Sequence, residues 1–191
     1  NVTKKYDLWG YVRREPLKGI RKATADKMSL SASKTAAVTN FDEADVTELA
    51  ALRDKEKAAV EKKGIKLTFL AFVIRAVFDA MKKPEHSIIN SSLDEINQKI
   101  IIKEYFNIGF AVATEAGLVV PVIKRAEQKG VLAIAREVGE LAEKARSRKI
   151  DMADMMGGSF TITNLGSIGS IHFTPIINYP EAAILGIGRI L

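Results

Sequence analysis

The most informative stretch of the sequence is GGSFTITNLGSIG, residues 157–169. It opens the part of the chain after residue 156, which holds six of the thirteen glycines. Apolar and β-branched runs, which favour strands, lie between these glycines at Phe160–Thr163 and Ala183–Leu185. Glycine within such runs usually marks a bend or the close approach of another backbone. We therefore predict two strands here, packed tightly enough to form a ligand channel or a subunit contact.

Outside this region, apolar residues recur with the periods of both helices and strands. Four segments have helical spacing: residues 17–30, 45–64, 68–81 and 131–145. The second begins with Asp45-Val46-Thr47-Glu48, a pattern typical of a capping box, in which Asp45 is the predicted N-cap. Four further segments are predicted strands: residues 38–41, 100–102, 105–113 and 117–123. Pro121 predicts that the last of these is interrupted or lies at a sheet edge.

The composition excludes several classes of protein. The chain has 191 residues, 47% hydrophobic and 27% charged, which is typical of one ordinary domain, and the alternation of elements predicts an α/β domain with a mixed sheet. The absence of cysteine excludes disulfides, thiolate nucleophiles and cysteine-based zinc sites, and is compatible with a cytoplasmic location. No apolar run is long enough to span a membrane.

The net charge of +6 is confined to the N-terminal part of the chain. Residues 1–34 contain nine basic and three acidic residues, and the remainder is balanced. The body of the domain is therefore not a general nucleic-acid binder. The basic N-terminal arm either contacts phosphates or an acidic partner surface, or it is a solvated linker followed by a helix face.

The residues that could carry chemistry are few. His86 and His172 are the only histidines, and each taken alone is more typical of a surface residue than of a catalytic one. No His, Asp or Glu cluster has the spacing of a metal site. Gly186-Ile187-Gly188 has no third glycine that would complete a dinucleotide fingerprint. The residues by themselves therefore do not specify a reaction.

Several segments in one order resemble a known family, the catalytic domains of the dihydrolipoyl acyltransferases of 2-oxo acid dehydrogenase complexes. They are PLKGIRK (residues 16–22), DVTEL (45–49), NIGFAV (107–112), GLVVPVI (117–123), the 157–169 stretch, FTPIIN (173–178) and PEAAILG (180–186). The resemblance covers residues 15–191. Residues 1–14 then correspond to the end of an interdomain linker or arm.

The resemblance implies a fold, a reaction and partners. The fold is that of chloramphenicol acetyltransferase, a mixed sheet flanked by helices, in trimers with active-site channels between subunits that build a large hollow core. The reaction moves an acyl group from a dihydrolipoyl thiol to coenzyme A, without a metal. The implied partners are the lipoyl domain, and the 2-oxo acid decarboxylase and dihydrolipoyl dehydrogenase bound through domains that this sequence does not contain.

The resemblance also implies one catalytic residue. Thr163 matches the position in the F-T-I-[ST] strand whose hydroxyl donates a hydrogen bond to the oxyanion. The family's catalytic histidine and aspartate belong to an H-x-x-x-D-G motif, which is absent from these 191 residues. We therefore expect the catalytic domain to be incomplete at its C-terminus and this fragment to be inactive.

Three interpretations of function remain open. The first is the acyltransferase core domain, the second is a scaffold that uses the fold only for assembly, and the third is a stand-alone small-molecule acetyltransferase. Asn164-Leu165-Gly166 stands where succinyl-transferring relatives have N-G-G, so the resemblance favours an acetyl or branched-chain acyl group.

Overall fold

The computed structural model describes residues 3–191 and contains all four predicted helices. They are α1 (Gly19–Lys34), α2 (Thr47–Glu61), α3 (Phe69–Met81) and α4 (Val131–Arg146). A 3-10 helix at Pro84–Asn90 follows α3. No helix within the described residues combines the length and apolar character that crossing a bilayer demands.

Ten strands form one central sheet and three separate hairpins within residues 3–191. In chain order they are β1 (Thr3–Tyr6), β2 (Tyr11–Arg14), β3 (Ser91–Asp94), β4 (Lys99–Ile102), β5 (Ile108–Phe110), β6 (Val112–Thr114), β7 (Gly117–Val119), β8 (Val122–Ile123), β9 (Phe160–Asn164) and β10 (Ile184–Ile187). The central sheet has the order β10-β9-β5-β8. Strand β9 is parallel to both β10 and β5, whereas β5 and β8 are antiparallel, which confirms the predicted mixed sheet.

The hydrophobic core lies on one face of this sheet, against α3 and α4. Ile162 of β9 and Phe110 of β5 are opposite each other and buried there with Ile74 of α3 and Ile134 of α4. Burying each such side chain contributes about 1.5–3 kcal/mol. Because side chains alternate along a strand, Thr161 and Thr163, which flank Ile162 on β9, point to the opposite face. The fold therefore places these two threonines on the face away from α3 and α4.

The beginning of α2 differs from the prediction. Val46, not Asp45, is the N-cap residue, and the Asp45 carboxylate instead accepts hydrogen bonds from the backbone N–H and the hydroxyl of Thr47, at 2.9 and 2.6 Å. These two bonds hold the pKa of Asp45 below its ordinary value. The carboxylate thus closes a turn before the helix, and the helix begins two residues after it.

The predicted strand at residues 38–41 is wrong. This segment has no regular secondary structure and no strand partner within residues 3–191, and Val38 is 88% exposed. Strand propensity measures how well a side chain fits against neighbouring strands, and here no neighbouring strand is present to pair with the segment. Phe41 instead packs edge-to-face with the ring of His172, with the ring centroids 5.2 Å apart.

Two long predicted strands are each divided in two. Residues 105–113 contain β5 and β6, separated at Ala111, and residues 117–123 contain β7 and β8, separated at Val120 and Pro121. The expectation for Pro121 is confirmed on both counts, because the pairing is interrupted there and β8 lies at the edge of the central sheet.

Two of the hairpins present apolar side chains to solvent. In the β1–β2 hairpin, which the sequence analysis did not predict, Leu8 and Trp9 at the turn are both more than 90% exposed. In the β3–β4 hairpin, Leu93 and all three isoleucines of Ile100–Ile102 are exposed. Isolated two-stranded hairpins are marginally stable in water, and exposed apolar patches of this kind mark interaction surfaces.

Candidate active site

Thr163 lies on the sheet face that the core helices leave free. Its side chain is half-buried, and its partner in the parallel ladder is Gly186 of β10. The ring of Phe173 covers that glycine: a Cβ atom added to Gly186 would lie 2.8 Å from Phe173 Cζ. Gly186 therefore leaves room for an aromatic ring directly beside the ladder position of Thr163.

The Thr163 hydroxyl is available for a ligand. None of the side-chain hydrogen bonds formed within residues 3–191 involves it, whereas its strand neighbours Asn164 and Thr161 both have partners. Asn164 Oδ1 accepts from the backbone N–H of Gly166 at 2.9 Å, and Thr161 Oγ1 accepts from Asn178 Nδ2 at 3.1 Å. A threonine in a strand with a free, half-buried hydroxyl can donate to an oxygen that develops negative charge nearby.

A largely buried polar cluster lies on the same sheet face as Thr163. It consists of the buried Thr161 and Glu181, which are 2% and 5% exposed, and the partly buried Asn178. Asn178 Nδ2 donates to both Thr161 Oγ1 and Glu181 Oε1, at 3.1 and 2.8 Å. Burial raises the pKa of Glu181 above its ordinary value, while hydrogen bonding from Thr161 and Asn178 opposes this effect. Hydrogen bonding therefore holds the Glu181 carboxyl in a place where it loses its contact with water.

The glycines of this region allow backbones to approach closely, as predicted. A Cβ atom on Gly166 would lie 2.6 Å from the carbonyl oxygen of Gly188, and one on Gly188 would collide with the carbonyl oxygen of Ile171. The residue after β10, Gly188, thus lies directly against the turn after β9 and against the start of the segment that leads to β10. This packing fixes the surroundings of Thr163 by backbone contacts.

Neither histidine takes a catalytic position within the described residues. His86 is exposed after α3, and its Nδ1 atom lies 3.1 Å from the carbonyl oxygen of Ala80. His172 is exposed and packs against Phe41. No group of three or more His, Asp or Glu side chains within residues 3–191 could hold a metal ion.

A cleft of about 870 Å³ lies beside β10. Its lining includes Phe41, Phe173 and Glu181. At its margin, Lys34 of α1 forms an ion pair with Glu95 at 2.5 Å, and the Tyr179 hydroxyl donates to Glu95 Oε1 at 3.1 Å. The hydrogen bond to Glu95 is the largest cause that raises the pKa of Tyr179.

The sequence analysis missed the buried cluster around Glu181. One signal was present, because Glu181 is the only acidic residue after Asp154, in a stretch otherwise rich in glycine and apolar residues. Its contact with Asn178 and the pairing of Asn178 with Thr161 depend on the path of the chain between β9 and β10. That path could not be read from periodicity.

Comparisons with known proteins identify the family. Residues 10–191 match the model of the 2-oxoacid dehydrogenases acyltransferase (catalytic domain) family. The chain is 50% identical over 177 residues to the dihydrolipoyllysine-residue acetyltransferase component of the pyruvate dehydrogenase complex of Bacillus subtilis, covering 93% of this chain and 40% of that protein. It is 48% identical over 179 residues to the component of the same name from Cupriavidus necator, covering 94% of this chain and 32% of that protein. The chain thus spans less than half the length of these curated relatives.

Solved structures of dihydrolipoamide acetyltransferases have the same fold as this chain. A dihydrolipoamide acetyltransferase of Azotobacter vinelandii superposes with a TM-score of 0.90 at 44% identity, covering 95% of this chain and 74% of that chain. A probable dihydrolipoamide acetyltransferase of Listeria monocytogenes superposes with a TM-score of 0.88 at 41% identity, covering 94% and 76%. These matches confirm the expected mixed sheet with flanking helices. The chain belongs to the family of 2-oxo acid dehydrogenase acyltransferase catalytic domains.

Proposed function

We propose that this domain transfers an acetyl group from an S-acetyl-dihydrolipoyl arm to the thiol of coenzyme A, within the core of a 2-oxo acid dehydrogenase complex. The observation that carries the proposal is the position of Thr163, half-buried on the free face of the sheet with its hydroxyl unengaged within residues 3–191. The relatives from Bacillus subtilis and Cupriavidus necator are named as acetyltransferases, which favours acetyl over a branched-chain acyl group.

Thr163 stabilises the transition state in this mechanism. The sulfur of coenzyme A attacks the thioester carbon, a new C–S bond forms, and the carbonyl oxygen becomes an oxyanion that accepts a hydrogen bond from Thr163. Collapse of the intermediate breaks the old C–S bond and releases the dihydrolipoyl thiolate, which takes up a proton. One such donor contributes about 2.7–4 kcal/mol of transition-state stabilisation. The β-branch of threonine restricts its χ1 rotamer and keeps the hydroxyl oriented.

The attacking thiol also needs a base to take its proton. We assign this role to neither histidine of this sequence. His86 and His172 are both exposed, and neither is followed by Asp-Gly at the family's spacing. A polypeptide of these residues alone is accordingly expected to be inactive.

We further propose that the domain forms trimers and a large hollow core. The exposed apolar residues of the β1–β2 and β3–β4 hairpins support this, since they are surfaces that a neighbouring subunit would cover. One solved structure that matches the chain, with a TM-score of 0.90, is the cubic core of a pyruvate dehydrogenase multienzyme complex. By analogy, the partners are the lipoyl domain, the 2-oxo acid decarboxylase and dihydrolipoyl dehydrogenase, and the location is the cytoplasm.

The second candidate function is a scaffold that retains the fold for assembly only. The exposed apolar side chains of the β1–β2 and β3–β4 hairpins, which suit contacts between subunits, are the observation that favours it. The two are separated by measuring coenzyme A-dependent acetyl transfer with the protein of the full reading frame and S-acetyl-dihydrolipoamide. An acyltransferase converts both substrates, whereas a scaffold assembles to full size and converts neither.

A further inference from the structure

Glu181 is a buried carboxyl group to which the proposed mechanism gives no role. It is 5% exposed, its Oε1 atom accepts from Asn178, and its Oε2 atom has no hydrogen-bond partner. Lys27 of α1 and Lys103, which follows β4, act on it through space and lower its pKa, but the effect of burial is larger. A buried ionisable group that costs stability is a candidate for a functional role.

Glu181 belongs to a segment of the chain that side-chain hydrogen bonds anchor to other elements. Residues 171–182, which we name the covering segment, connect the turn after β9 to β10. Its Asn178 donates to Thr161 of β9 and to Glu181, and the buried Ser31 of α1 donates to the carbonyl oxygen of Ile177 at 2.6 Å. Side-chain hydrogen bonds therefore hold the covering segment both to β9 and to α1.

The covering segment also determines the space beside Thr163. Phe173 belongs to it, and the ring of Phe173 lies over Gly186, the ladder partner of Thr163. Thr161, which receives the hydrogen bond from Asn178, is two residues before Thr163 on the same strand face. A shift of the covering segment would therefore displace the ring next to the Thr163 position.

We propose that Glu181 is a positioning residue for acyl transfer: by accepting a hydrogen bond from Asn178 within the covering segment, it orients Asn178 to donate to Thr161 of β9, and this link keeps Phe173 in place beside Thr163. This inference rests on the proposed function of Thr163. The hydrogen bond accepted by Oε1, and not the negative charge, is what the role requires. Glutamine has the same shape and a side-chain carbonyl oxygen, so it can replace Glu181. An apolar side chain of similar volume, such as leucine, cannot accept this hydrogen bond and cannot replace Glu181.

The test compares Glu181→Gln with Glu181→Leu in the assembled protein of the full reading frame. Glu181→Leu is expected to lower kcat by about 10- to 100-fold, the effect of a small misplacement of catalytic groups, with little change in KM for either substrate. Glu181→Gln is expected to keep kcat near the wild-type value. Glu143→Gln, an exposed position on α4, controls for the loss of a carboxylate. A Glu181→Gln variant as slow as Glu181→Leu, or a Glu181→Leu variant as fast as wild type, overturns the proposal.

A second measurement does not depend on activity. Methyl resonances of isotope-labelled threonine report the surroundings of Thr161 and Thr163 directly. Both are expected to shift in Glu181→Leu and in Asn178→Leu, and the combined variant is expected to resemble Asn178→Leu alone because Glu181 acts through Asn178. Unshifted threonine methyl signals refute the positioning role. If the wild-type protein shows no acyl transfer, the proposed function fails, and the methyl shifts alone decide this inference.

If Glu181→Leu does not assemble, Thr161→Val replaces it. Valine has nearly the shape of threonine but cannot accept the hydrogen bond from Asn178, which is 3.1 Å long. We expect it to reduce kcat and to shift the Thr163 methyl signal. If an intact Thr161→Val assembly has the wild-type kcat and an unshifted Thr163 methyl signal, the proposal is wrong.

Discussion

Thr163 of β9 and Gly186 of β10 are directly opposite each other in the parallel ladder of the central sheet. Only a glycine at this place admits the ring of Phe173, because a Cβ atom would approach the ring to 2.8 Å. The pair therefore combines a free hydroxyl with a neighbouring surface that is apolar and closely packed. Such a site excludes water from one side of the hydroxyl and strengthens the hydrogen bonds it donates.

Replacing this glycine tests the packing. Gly186→Ala is expected to destabilise the fold by about 1–3 kcal/mol, the usual cost of overpacking, because the Phe173 ring must move. The measurement is the free energy of unfolding in urea. Gly139→Ala is the matched control: Gly139 lies in α4 with open space around its Cα, so alanine is expected to stabilise the helix by about 0.5–1 kcal/mol. If Gly186→Ala proves as stable as Gly139→Ala, the described packing of the Phe173 ring against Gly186 is wrong.

The buried carboxyl gives the stability a dependence on pH. Burial raises the pKa of Glu181 in the folded state above its ordinary value of 4.5, so the folded protein binds this proton more tightly than the unfolded chain. Its contribution is therefore favourable below the ordinary pKa and is lost as the pH rises through the raised one. Glu181→Gln is expected to remove this decline. The free energy of unfolding in urea is measured across the acidic to neutral pH range. If it depends on pH in the same way for wild type and Glu181→Gln, the prediction is wrong.

The hydroxyl of Tyr179 is predicted to respond to Glu95. The hydrogen bond from Tyr179 to Glu95 raises the pKa of the phenol above 10.0. Glu95→Gln removes the negative charge, so the ultraviolet titration of Tyr179 is expected to move to lower pH. Because Glu95 and its ion-pair partner Lys34 are both exposed, the loss of stability is expected to be small. An unchanged titration would show that the two groups are not coupled in solution.

The N-terminal hairpin is predicted to pack against a neighbouring subunit. Trp9 is the only tryptophan and is 93% exposed in the single chain. Its fluorescence emission is expected to move to shorter wavelength on assembly, since the indole leaves water. Deleting residues 1–14 is expected to reduce the size of the assembly in light scattering. Unchanged emission and unchanged size would instead make residues 1–14 a free linker.

The sequence predicted those features that local pattern determines. The β-branched run at Phe160–Thr163 and the apolar stripe of α4 each specify an element without reference to the rest of the chain. The segment 38–41 has the same β-branched character but is not a strand, because a strand also requires a partner, which no local pattern reveals. Thr163 itself was identified by family resemblance, not by periodicity.

The Glu181 cluster could not be predicted for a related reason. Thr161 and Asn178 are separated by 17 residues, and their contact depends on how the covering segment turns back over the sheet. Periodicity describes which side chains share a face of one element, but it does not describe which loop covers that face.

The most direct test of the central claim is the kcat of Thr163→Ala and Thr163→Ser in acetyl transfer between S-acetyl-dihydrolipoamide and coenzyme A, measured with the assembled protein of the full reading frame. Loss of the hydrogen bond donated by Thr163 is expected to reduce kcat by about 10²–10³-fold in Thr163→Ala, whereas serine keeps the hydroxyl and is expected to stay within a few-fold of wild type. A Thr163→Ala protein that assembles and transfers acetyl groups at the wild-type rate would contradict the account.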